Sequence, residues 1–103
     1  YQGTAEITLD KGYPCLINDT SASIKWNEYA SENIGIQNIA KVPPRMTSED
    51  FSFYSQHIPA CFYRLGVGET TQVHTSSFNP DEGAIAEGAG LLTWLALRFL
   101  GNT

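Results

Sequence analysis

Basic residues are scarce in this sequence. Six Lys and Arg stand against eleven Asp and Glu, a formal charge of −5 at pH 7, with no basic run and no arginine stripe. Nucleic acids and anionic membrane surfaces are bound through clustered cations, so both are excluded as expected partners. Charge of either sign is thin. Charged residues make up 17%, below the roughly 25% of ordinary soluble domains, which points to surface normally covered by other structure. Cysteine is limited to Cys15 and Cys61, with no CxxC pair. Two distant thiols make no disulfide framework, so a reducing, cytoplasmic location is expected. No apolar run reaches membrane length. The longest, residues 84–100, includes Glu87 and Arg98 and falls short of the about 20 apolar residues a span needs. Repeats, low-complexity tracts, an initiator Met and a signal peptide are also absent. A chain of 103 residues can hold one small domain with a modest core. The expectation is a piece of a longer polypeptide.

What is present is a change of apolar period along the chain, which predicts an α/β arrangement. Residues 4–10 alternate, with Ala5, Ile7 and Leu9 on one face; this predicts a half-buried strand. Lys11-Gly12-Tyr13-Pro14 ends it. Residues 21–34 read as a helix capped by Ser21, with Trp26, Tyr29, Ala30 and Ile34 on one face and Gly35 as its stop. Residues 36–42 are a weaker strand candidate, closed by Pro43-Pro44. A short helix over 48–56 follows, capped by the Thr47 or Ser48 hydroxyl, with Glu49 and Asp50 at its positive end. Residues 61–65 read as an aromatic strand.

The last predicted helix covers 80–100. Asn79 is the expected N-cap, Pro80 suits the first helical position, and Glu82 completes a capping box. This helix is apolar nearly all round, so it should be buried on nearly all sides. A chain this short can hardly cover it. His74 lies just upstream, on a loop braced by the helix start. From spacing alone, a lone histidine reads as a surface or hydrogen-bonded structural residue, and so does His57.

Four segments resemble one family. Arg45-Met46-Thr47-Ser48-Glu49-Asp50-Phe51-Ser52-Phe53-Tyr54 is similar to the Met-Gly-Ser-Glu-Asp-Phe segment of the aminoacylase/carboxypeptidase-type di-metal metallopeptidases, in their hippurate hydrolase and N-acyl-L-amino acid amidohydrolase branch. Ile58-Pro59-Ala60-Cys61-Phe62-Tyr63-Arg64-Leu65-Gly66 resembles the branch's Pro-Gly turn and following strand. Val73-His74-Thr75-Ser76-Ser77-Phe78 resembles its His-Ser-Pro-x-Phe loop. Tyr13-Pro14 with Asn18-Asp19 resembles its Tyr-Pro-x-x-x-Asn-Asp connection. The sequence departs from the family at Thr47 and Ala60, where Gly is usual, and at Ser76, where Pro is usual.

The resemblance implies the C-terminal half of a zinc-peptidase-like catalytic domain, a three-layer α/β/α fold, over residues 15–103. Residues 1–14 would be the last strand of the inserted lid or dimerisation domain. It implies a hydrolase acting on N-acyl amino acids or small peptides, with two divalent ions of zinc, manganese or cobalt type. His74 would be a metal ligand. Ser48 and Glu49 would contact substrate or support the ligands; a capped helix start is the competing role for both. No catalytic residue is expected within these 103 residues, and at most partial metal binding. The expected partners are the substrate, an N-terminal half of the same chain and further copies in a homo-oligomer. The competing reading is a non-catalytic assembly or dimerisation module of the same fold, in which His74 is structural.

Overall fold

The computed structural model of the chain describes residues 2–101. Tyr1, in the expected lid strand, and Asn102 and Thr103, in the expected catalytic half, lie outside the described residues. Helix α1 runs Thr20–Ile34. Its cap is Asp19, not Ser21. The Asp19 backbone is extended (φ −64°, ψ 134°), and its Oδ1 accepts from the Ala22 N–H at 2.8 Å and the Ser21 Oγ at 2.7 Å. A carboxylate at the positive helix end outcompetes a neutral hydroxyl for this place, and Ser21 becomes a buttress inside the first turn. Gly35, at φ 81°, ends the helix as expected, and its N–H donates to the Ser31 carbonyl.

The cap makes α1 sensitive to acid. The Ser21 hydroxyl, then the Ala22 N–H, hold the Asp19 carboxyl below its ordinary 3.8. A lowered folded value means that the cap contributes fully above the ordinary value and is lost as pH falls through the lowered one. Asp19→Asn keeps the capping oxygen but does not titrate. The variant is expected to lose less helical circular dichroism than wild type below about pH 3.9. Equal acid loss in both would contradict the role of Asp19.

Residues 36–42 form no strand. Ile36–Asn38 is one 3-10 turn, because Asn38 folds back. Its N–H donates to the Gly35 carbonyl at 3.1 Å and its Nδ2 to the Ile34 carbonyl at 2.6 Å, satisfying an acceptor that α1 leaves open. From Ile39 the backbone is extended (φ −106°, ψ 124°) and runs to Glu49 without a turn or bend.

Helix α2 is Phe51–Ser55, shorter than the expected 48–56. Neither Thr47 nor Ser48 caps it. Turn-type bonds from Ser52 N–H to the Glu49 carbonyl and from Phe53 N–H to the Asp50 carbonyl tighten its start, while Glu49 Oε1 accepts from the Phe51 N–H at 3.3 Å. Phe51 packs against both Tyr54 and Phe62.

Helix α3 is Gly83–Phe99, beginning three residues after Pro80. The capping box does not form. Glu82 is already helical (φ −61°, ψ −28°) and makes no side-chain cap bond. Asp81 takes the role instead, with Oδ1 accepting from the Gly83 N–H at 2.8 Å, the two-residue reach at which aspartate excels.

The core is the seam between α1 and α3. Ala30, Leu91 and Leu95 are buried there, flanked by Trp26, Tyr29, Ile34, Ile39 and Tyr63. Trp94 Nε1 donates to the Tyr29 carbonyl at 2.8 Å. Arg98 pairs with Glu32 at 2.9 Å and lies over the Tyr29 ring. Gly88 lets α3 approach residues 61–65: a Cβ there would stand 2.6 Å from Leu65 Cδ2.

No β-strand occurs among the described residues. The expected strands at 4–10 and 61–65, and with them the three-layer α/β/α arrangement, are not seen. A strand is defined by its neighbour, and neither stretch has a ladder partner. The nearest substitute is Asn18. Its Oδ1 accepts from the Phe62 N–H at 2.8 Å and its Nδ2 donates to the Phe62 carbonyl at 2.9 Å, the donor–acceptor pair that a neighbouring backbone would offer. Asp19 N–H adds a bond to the Ala60 carbonyl at 2.9 Å.

The chain is elongated, 71 × 36 × 19 Å, with a radius of gyration of 18.7 Å. A compact chain of about 100 residues has roughly 13 Å. Its accessible surface of 8985 Å² compares with about 5,700 Å² for a compact monomer of this mass. The alternating residues 4–10 are wholly exposed, with Ile7 and Leu9 more than four-fifths so.

Candidate metal-ligand loop

His74 sits in an exposed loop between residue 67 and α3. The loop is closed at its base by two bonds. Asp81 N–H donates to the Val67 carbonyl at 2.8 Å, and Asn79 N–H to Thr70 Oγ1 at 2.9 Å. Inside it, hydroxyls replace regular structure. Thr75 Oγ1 donates to the Gln72 carbonyl at 2.8 Å and lies 3.3 Å from Thr71 Oγ1, which also accepts from Ser77 Oγ at 3.3 Å. The Phe78 N–H closes the turn on the Thr75 carbonyl at 3.2 Å. The sequence reading foresaw the rigid support but placed it in a capping box. The brace is instead the threonine clamp and Asp81, and nothing in the spacing singles out Thr70.

His74 itself has φ 66°, and among the described residues it alone is non-glycine with positive φ. The left-handed region brings Cβ against the carbonyl and costs roughly 1–2 kcal/mol. Such conformations persist where the surroundings over-determine them, and here the clamp on both sides of His74 does so. Glycine would adopt the same backbone without that cost. His74→Gly is therefore expected to raise stability by about 1 kcal/mol in urea denaturation while removing the imidazole. Unchanged or lower stability would show that the backbone is not strained.

Ser48 is exposed and Glu49 half-buried, at the entrance to α2. Glu49 spends one carboxylate oxygen on the Phe51 N–H. No hydrogen bond or ion pair among the described residues joins either to His74. Beside them Tyr13 stacks edge-on against Phe53 at 5.1 Å. The Asp50 carboxylate, through a hydrogen bond and then its charge, pushes the Tyr13 phenol above its ordinary value. The Tyr-Pro connection is thus brought against the Glu-Asp-Phe segment, a contact that no local pattern foretold.

The thiols are bystanders. Cys61 accepts weak bonds from Ser23 Oγ at 3.7 Å and Asn18 Nδ2 at 3.8 Å, and burial pushes it up, away from the reactive thiolate. Cys15 is exposed.

Neutral imidazole suits zinc and similar divalent ions. Among the described residues, however, no three His, Cys, Asp or Glu side chains converge to hold a metal ion. The donor set fits one ligand of a centre shared with other structure, not a whole centre. No helix among the described residues is long and apolar enough to cross a membrane.

Residues 3–98 match the family described as peptidase family M20/M25/M40. The chain is 35% identical over 98 residues to an N-acetyldiaminopimelate deacetylase of Pediococcus pentosaceus, covering 94% of this chain and 24% of that protein. It is 36% identical over 78 residues to the N-acetyldiaminopimelate deacetylase of Lactobacillus acidophilus, covering 75% of this chain and 20% of the relative. It is 31% identical over 93 residues to IAA-amino acid hydrolase ILR1-like 5 of Arabidopsis thaliana, covering 85% and 21%. The chain thus spans about a quarter or less of the length of these relatives. No solved structure matches it significantly.

Proposed function

The chain belongs to peptidase family M20/M25/M40, and on that premise we propose that the intact protein is a metal-dependent amidohydrolase that cleaves the acyl amide of N-acyl amino acids, hippurate-like compounds or small peptides. The observation that carries this reading is His74. Its imidazole is exposed at the tip of a loop closed by Thr70 and Asp81 and held in a strained backbone conformation. A solvent-facing imidazole on a braced backbone is what a ligand of a shared centre requires. The names of the relatives support the substrate class: one is an N-acetyldiaminopimelate deacetylase, another an IAA-amino acid hydrolase.

In this reading residues 15–103 are the C-terminal half of the catalytic domain and residues 1–14 the end of a lid or dimerisation domain in a homo-oligomer. His74 holds one of two divalent ions of zinc, manganese or cobalt type. Such ions, when bound, polarise an amide carbonyl and acidify water. Ser48 and the second carboxylate oxygen of Glu49 face substrate. The remaining ligands and the general base come from outside these residues, so the 103-residue chain alone is inactive.

The test incubates full-length protein with N-acetyl and N-benzoyl amino acids and measures released amine. Release that stops with a chelator and returns with zinc, manganese or cobalt is expected. No release from the metal-loaded protein would sink the proposal and leave an assembly module of the same fold.

A further inference from the structure

Asp50 stands at the N-cap of α2 (φ −59°, ψ −33°) yet makes no side-chain cap bond. Aspartate is among the best capping residues, because its carboxylate accepts from the free N–H groups of the first turn. Here those groups are satisfied in other ways. The Ser52 and Phe53 N–H groups donate to the Glu49 and Asp50 carbonyls at 3.0 and 3.1 Å. The Phe51 N–H donates to Glu49 Oε1 at 3.3 Å. The Asp50 carboxylate is engaged elsewhere. It accepts a hydrogen bond from the Tyr13 phenol, whose ring stands edge-on against Phe53, with centroids 5.1 Å apart and planes at 63°. Among the described residues, no backbone hydrogen bond engages residues 2–17, so the Tyr13 side chain supplies the polar tie between that segment and the start of α2.

Without the phenol, nothing holds Asp50 away from the helix it begins. Its carboxylate is drawn back to the free N–H groups at the positive helix end. Glu49 then shares that turn with a second negative charge, which repels it. Its bond to Phe51 is long for an N–H donor, so Glu49 is the group displaced.

We propose that Tyr13 is a positioning residue for Glu49: by holding the Asp50 carboxylate away from the start of α2, it leaves the Phe51 N–H to Glu49 Oε1 and so fixes where the second oxygen of Glu49 points. The phenol acts through Asp50 and touches no reacting group. Its effect on turnover rests on the proposed hydrolysis, in which Glu49 faces substrate; its effect on the Phe51 amide does not.

Both effects are read in full-length protein with Tyr13→Phe, which keeps the ring on Phe53 and removes the phenol. Tyr13 is exposed, so the fold is retained. The amide is followed by nuclear magnetic resonance on protein carrying phenylalanine labelled with heavy nitrogen, at neutral pH. An N–H bonded to a carboxylate resonates downfield, so Glu49→Ala is expected to move the Phe51 amide proton upfield. In Tyr13→Phe the same Glu49→Ala change is expected to leave it in place, and adding Asp50→Ala restores the dependence on Glu49. Equal movement with and without the phenol overturns the proposal. With N-acetyl and N-benzoyl amino acids, Tyr13→Phe is expected to raise KM about tenfold at unchanged kcat, the pattern of lost ground-state binding. In an Asp50→Ala background it is expected to leave KM unchanged. A KM untouched by Tyr13→Phe in the otherwise native chain, or raised equally in both backgrounds, overturns the proposal. A wild-type protein without turnover sinks the hydrolysis alone, and the Phe51 amide then decides for or against Tyr13.

Discussion

In full-length protein, His74→Ala is expected to lower turnover of N-acyl amino acids by at least about a hundredfold while leaving the fold intact. Removing groups that merely orient metal ligands costs 10–100-fold, and loss of a ligand is no milder. The fold should survive because His74 is exposed and alanine keeps the same left-handed backbone burden. Glu49→Gln preserves shape and the bond to the Phe51 N–H but removes the charge. It is expected to act mainly on KM if Glu49 faces substrate. Wild-type turnover in His74→Ala with full metal loading would return His74 to a structural role.

The second large effect lies in the core. Leu95, with 4% of its surface exposed, sits between α1 and α3 with Ala30 and Leu91 as its buried companions. Leu→Ala at such a site costs about 2–5 kcal/mol, against the 5–15 kcal/mol of a complete compact domain. A seam of three buried apolar residues leaves little to spare. Leu95→Ala in the 103-residue chain is expected to abolish cooperative thermal unfolding. Leu92→Ala, three residues earlier but 61% exposed, is expected to change stability by less than about 1 kcal/mol. Similar losses at both positions would show that α3 does not use the Leu91–Leu95 face as its seam. The same thin core and the exposed Ile7 and Leu9 make self-association of the isolated chain the expected behaviour.

Helices were the legible part. Trp26, Tyr29, Ala30 and Ile34 share a face in sequence and meet α3 in space, and Gly35 stops α1 where a left-handed residue is needed. Helical bonds are local, so period and punctuation suffice. The starts were less legible because several side chains compete for the same N–H groups. Asp19 displaced Ser21, and Asp81 displaced the Asn79–Glu82 box, once tertiary contacts drew Asn79 to Thr70. Strands were the illegible part for a different reason. The alternation in residues 4–10 and the aromatic run in 61–65 describe surfaces that fit a sheet, but a ladder needs a partner, and Asn18 is the only nearby substitute for Phe62 among the described residues. For the candidate site, the sequence singled out the His74 loop only through its resemblance to a ligand loop. Its strained φ and its hydroxyl clamp were not, since both arise from contacts across several residues.

Metal stoichiometry tests the central claim most directly. Full-length wild type and His74→Ala, purified in parallel and loaded with zinc, manganese or cobalt, should be compared by elemental analysis alongside circular dichroism. The account predicts about two ions per wild-type chain and a clear deficit in a folded His74→Ala. Equal metal content in two equally folded proteins would contradict it.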